Sequence, residues 1–119
     1  MRYLMMIKHT EDYANKTPPP GLYKAMGEFV GKAIADGKMI DGAGLKPTGF
    51  GRRVRMAHQS LSVIDGPFVE SKEIIGGYAL MEMASEAEAL EYGRRFMEIH
   101  LEYWPTFEGE CEIRPLQDA

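Results

Sequence analysis

Two stretches of the chain carry apolar residues at helical spacing, and each sits between short runs with strand character. In residues 21–36, Leu22, Met26, Phe29, Val30, Ala33 and Ile34 recur at a period of 3.6, with Lys24, Glu28 and Lys32 opposite. Gly37 stands where a left-handed C-terminal cap falls. The second stretch opens with a capping box, Ser85-Glu86-Ala87-Glu88. Ala89, Leu90, Gly93, Phe96, Met97, His100, Leu101 and Trp104 follow, and Pro105 ends the helix near Tyr103. Residues 2–8 are apolar almost throughout, as a strand covered on both faces requires. The order strand, helix, strands, helix, strand predicts an α+β fold, an antiparallel sheet with both helices on one face.

The remaining segments fill in this order. Residues 9–20 end in Pro18-Pro19-Pro20 and read as a loop. Met39-Ile40 predicts a short strand, and four glycines with Pro47 make the rest of 39–51 irregular. Arg52–His58 and Ser60–Ile64 alternate as a hairpin turning near Gln59, which points His58 with Val54 and Met56 toward a covered face. Asp65-Gly66-Pro67-Phe68 is a turn in which Gly66 is expected to take a positive φ. Ile74–Met83 is a long strand with a bulge or close approach at Gly76-Gly77, and Cys111 and Ile113 alternate in the last strand. Gly27 and Gly31, one turn apart, suggest a first helix lying close against backbone.

At 119 residues the chain makes one domain, 1–119. Its 45% hydrophobic content and net charge of −4 argue against disorder and against general nucleic-acid binding. No run approaches the length of a membrane helix, and no cleavage site follows the apolar start. With the single Cys111, this predicts a cytoplasmic protein. The sheet face away from the helices also carries apolar positions, in 3–7 and 75–83, so a homodimer is expected to cover it.

Asp65-Gly66-Pro67-Phe68-Val69-Glu70-Ser71-Lys72-Glu73, followed by Gly76-Gly77-Tyr78, resembles the signature of the YCII-related family, in the subgroup named for its Asp-Gly-Pro-Phe motif. Gly42, Gly44, Leu45, Pro47, the Val54-Arg55 strand and the closing Glu112–Leu116 extend the likeness along the chain. The resemblance implies a ferredoxin-like fold that pairs into a dimeric α/β barrel. Some similar proteins resemble lyases or dehydrochlorinases that use a His at the start of the first helix with an Asp. Here that position falls near Met26 and the helix has no histidine; Asp36 or Asp41 could match the Asp. Members of the subgroup also occur beside extracytoplasmic-function sigma factors, which implies a regulatory context.

The densest polar constellation is Asp65, Glu70, Lys72 and Glu73, with Arg53 and Arg55 on the hairpin before it. A carboxylate beside a cation can act as general base while the cation steadies a developing anion. Asp65, Glu70 and His9, which follows the first strand, are the acid/base candidates. Arg53, Arg55, Lys72 and Arg114 are the candidates for binding a small anionic or polar aromatic ligand. The bland alternatives are a turn-forming Asp65 and solvated or interface salt bridges. His9, His58 and His100 share no metal-ligand spacing, and no metal, cofactor or nucleotide is implied; the lone histidines give haem binding its slender support. Gly42-Ala43-Gly44 lacks the third glycine and the following helix of a dinucleotide loop. The expected function is a homodimeric small-molecule-binding protein or an enzyme with lyase-like acid/base chemistry. The rival is a non-catalytic sensing or interaction module.

Overall fold

A computed structural model describes residues 1–14, 16–68 and 71–117. The elements are β1 (Arg2–His9), α1 (Glu11–Ala14), α2 (Pro20–Ala35), β2 (Met39–Gly44), a 3-10 turn (Thr48–Phe50), β3 (Arg52–Ala57), β4 (Ser60–Asp65), β5 (Ile74–Glu82), α3 (Glu86–Tyr103) and β6 (Glu110–Pro115). The order matches the sequence reading, with two additions. The loop after β1 holds the short α1, and β2 runs on to Gly44 as the partner of β5.

Four strands form one antiparallel sheet in the order β2-β5-β1-β6, an arrangement compatible with a ferredoxin-like fold. Odd-numbered residues of β1 face the helices. Tyr3 and Met5 are buried there with Met81, Met83 and Ala89, and Ile113 and Cys111 pack against them. Gly93 lets α3 settle on β6, because a β-carbon there would stand 2.6 Å from Ile113 Cδ1. Both helix ends are built as their residues dictate. Gly37 adopts φ +71, and Lys38 N–H reaches back to the Ala33 carbonyl at 2.8 Å. Ser85 Oγ accepts from Glu88 N–H at 3.1 Å, while Glu88 accepts from Ala84 N–H and Lys38 Nζ.

β2 and β5 are antiparallel neighbours that a tight turn could join. Residues 45–73 stand between them instead, and they build the β3–β4 hairpin as a separate two-stranded sheet. His58 and Gln59 make its turn, both in the left-handed region (φ 52 and 63). His58 is therefore exposed at the tip, and no covered face lies beneath it. The hairpin projects as an arm. The radius of gyration is 15.9 Å, where a compact chain of this length has about 13.5 Å. The surface is 8385 Å², about 1,900 Å² more than a monomer of this mass usually exposes.

Two glycine expectations are corrected. A β-carbon at Gly27 or Gly31 would meet nothing within 4 Å, so α2 does not lie against backbone there. Gly66 takes no positive φ; its peptide to Pro67 is cis, and a β-carbon on it would strike the Thr48 carbonyl oxygen. The glycine is needed for close approach.

Candidate functional site

The motif loop is held from three sides. Gly66 N–H donates to the Gly51 carbonyl at 2.9 Å, and Phe68 N–H donates to Thr48 Oγ1 at 3.0 Å. Thr48 in turn gives its backbone N–H (3.1 Å) and its hydroxyl (2.6 Å) to the two carboxylate oxygens of Glu11 on α1. The Phe68 ring is buried, with the Arg53 guanidinium 3.7 Å from its centroid. Arg53 also donates to Ser71 Oγ at 3.0 Å. One chain of contacts thus runs from the residues after β1, through Glu11, Thr48 and Phe68, to Arg53 on the arm.

The predicted site residues divide between this region and the sheet. Asp65 ends β4, exposed, with Oδ1 3.2 Å from Arg52 Nε. Arg53 and Arg55 line a shallow groove of ≈ 420 Å³ with Val54 and Ile64. Lys72 is exposed just beyond the loop. Glu70 lies outside the described residues. Arg114 stands on β6, its Nε 3.8 Å from Glu112 Oε2. It belongs to the four-stranded sheet and not to the arm.

His9 ends β1. Its Nδ1 lies 2.8 Å from the Thr10 carbonyl, and since a carbonyl only accepts, Nδ1 carries the proton. The lone pair of the neutral ring is then on Nε2, for which the described residues supply no hydrogen-bond donor. Tyr13 and Phe107 present their rings edgewise to the imidazole, at 6.1 and 6.2 Å between centroids. The tautomer and setting suit a general base.

Sequence reasoning missed Lys8. Its ammonium bridges Glu73 (2.9 Å) and Glu112 (3.0 Å), whose bonds raise its pKa. Even numbering places Lys8 on the face away from the helices, and that alternation was the available signal. His100 is buried, donates Nδ1–H to the Phe96 carbonyl at 3.0 Å, and has its pKa lowered by that burial. Burial likewise pushes the Cys111 thiol up to about 11, which makes it a poor nucleophile. A second groove, of ≈ 250 Å³ between α2 and α3, contains Lys32 and Arg95, each already paired with a carboxylate four residues away along the chain. Among the described residues no cluster of three or more His, Cys, Asp or Glu is placed to hold a metal ion. None of the described helices is long and apolar enough to cross a membrane.

The model of the YCII-related domain matches residues 1–99, most of the chain. The chain belongs to the YCII-related family. Its match runs from β1 into α3 and includes the arm and the motif loop. An uncharacterized protein of Rhizobium meliloti (strain 1021) is 35% identical over 85 residues, 71% of this chain. That match spans 64% of the relative's length. Neither likeness carries a reaction with it.

Proposed function

We propose that this YCII-related chain, a member of the Asp-Gly-Pro-Phe subgroup, works as a homodimer that binds a small anionic ligand at the arginine face of its arm. One observation carries the reading: Arg53 and Arg55 line the same ≈ 420 Å³ groove, open to solvent in a single subunit. Residues two apart on a strand stand about 7 Å apart, a spacing at which two guanidiniums can flank one carboxylate or phosphate. Ile64 adds an apolar wall, as a small organic anion requires. His9, with Nδ1–H on the Thr10 carbonyl, ends β1 and does not line the groove, and Asp65 is solvated and paired with Arg52, so the reading is one of binding.

The dimer is supported by the surplus surface of the lone subunit and by the sheet face opposite the helices. By alternation that face holds the half-buried Leu4, Tyr78 and Leu80 around a buried Met6, ringed by Arg2, Lys8, Glu82 and Glu112. Single, reduced Cys111 supports a cytoplasmic location.

Thermal shift with a panel of small anions (benzoate, malonate, pyrophosphate) tests the ligand. At least one is expected to raise the Tm of the parent and leave Arg55→Gln unmoved. No shift from any anion, or equal shifts in both proteins, would overturn the reading. Asp65→Asn run alongside should respond like the parent if Asp65 only ends the strand. The interaction-module alternative has one observation in its favour: the contacts described for the motif loop are turn, stacking and packing bonds within the chain.

A further inference from the structure

The groove is lined chiefly from one face of the arm, by Arg53, Arg55 and Ile64, with Val54 at its edge. On the other face, register pairs Val54 with Val63 and Met56 with Leu61. All four lie on one side of the hairpin, 72%, 66%, 75% and 72% exposed in that order. Four adjacent apolar side chains so bare are not ordinary surface scatter. Nor does the arm supply its own support. A lone two-stranded hairpin is marginal in water. This one also holds two non-glycine residues, His58 and Gln59, in the left-handed region that L side chains disfavour. Its described anchors, Gly66 to Gly51 and Arg53 over Phe68, lie at its base; the turn is far from them.

We infer that this apolar stripe is a contact surface for a second copy of the chain, so that the arm of each subunit clasps the other. The inference rests on the homodimer proposed above and goes further by naming the element that makes it. Area argues for a copy over an unrelated partner. The surplus of about 1,900 Å² per subunit is the burial that an obligate homodimer needs from each side. Charge argues the same way. The arm carries Arg52, Arg53 and Arg55 against a single carboxylate, Asp65, within a chain of net charge −4. The remainder of a second copy is therefore net acidic. Val54 belongs both to the stripe and to the groove wall. Docking the stripe thus seats the second copy at the rim of the anion groove and narrows its open side.

Sedimentation velocity of the parent chain, Val54→Glu/Leu61→Glu and the helix-surface control Leu101→Glu tests this. The parent and control are expected to be dimers. The double variant is expected to dissociate with a Kd raised about 100-fold or more, since two unpaired charges would have to be buried. A parent dimer matched by an equally tight double-variant dimer would overturn the clasp and leave the homodimer standing. A monomeric parent would overturn both. Hydrogen exchange on the unaltered chain guards against a variant that fails to fold. Amides of 54–63 should be protected above the dimer Kd and lose protection on dilution below it. Exchange at the unprotected rate within the dimer would also sink the clasp.

Discussion

A β-carbon on Gly76 would land on Nε2 of His9. The two residues share one space because the β1–β5 register slips between Ile7, opposite Gly77, and Lys8, opposite Ile75, leaving Gly76 as the bulged residue. The bulge thereby aims the last side chain of β1 between Tyr13 and Phe107.

Gly76→Ala should therefore displace the imidazole and destabilise the fold by about 1–3 kcal/mol, as overpacking does. His9→Ala removes the obstacle, so the double variant should recover a coupling of about 1 kcal/mol or more in urea unfolding. Strictly additive losses would show that the ring does not depend on the missing side chain.

Thr48 tests what the motif loop is for. Thr48→Val keeps the backbone donor to Glu11 but strands the Phe68 N–H and one Glu11 oxygen. The expected cost is about 1–3 kcal/mol, with Thr48→Ser within about 1 kcal/mol of the parent because it restores the hydroxyl. Phe68→Ala should cost about 3–5 kcal/mol, the loss typical of a buried ring. Chemical denaturation reads all three, and a neutral Thr48→Val would mean that the loop is held elsewhere.

Much of this architecture was legible in the residues. Periodicity located both long helices, Gly37 and Ser85 marked their ends, and alternation found the hairpin and its turn. What escaped was long-range. The Asp-Gly-Pro-Phe segment reads as a turn in isolation. Its real constraint is the Thr48 carbonyl packed against Gly66, and no local pattern encodes a contact across that separation. His58 was misplaced for a related reason. Alternation shows that one hairpin face is apolar but not that a single subunit leaves that face bare. The candidate site was legible only as residue types. That Arg53 and Arg55 share a groove while Arg114 sits on another sheet follows from topology.

His100 sets an acid limit on stability. Burial lowers its pKa from the ordinary 6.5, and the bond to the Phe96 carbonyl offsets this only in part. Between the folded and unfolded values the unfolded chain binds the extra proton, so stability rises with pH across that window. His100 therefore costs nothing above about pH 6.5, and its penalty grows as pH falls below that, at no more than about 1.4 kcal/mol per pH unit. Glu88, whose pKa is lowered by Lys38, loses its contribution only at more acid pH. Urea unfolding at pH 7.5 and 5.5 should show the loss in the parent, and His100→Met should reduce it. An unchanged slope in the variant would assign the acid sensitivity to other groups.

Gly27 and Gly31 give the last test, and it bears on which surfaces a partner covers. Both sit mid-helix in α2, where glycine is less favourable than alanine by about 1 kcal/mol each. Added methyl groups would meet only open space within the subunit. Gly27→Ala and Gly31→Ala should each raise stability by about 0.5–1 kcal/mol, since helical φ and ψ suit alanine and the unfolded chain loses freedom. The clasp places the dimer contact on the arm and not on this face of α2, so the gain should persist at protein concentrations where the chain is dimeric. Urea midpoints at two concentrations check both parts. A gain in dilute protein that turns into a loss when concentrated would mean that the glycine stripe is where the second copy packs, with the arm left free.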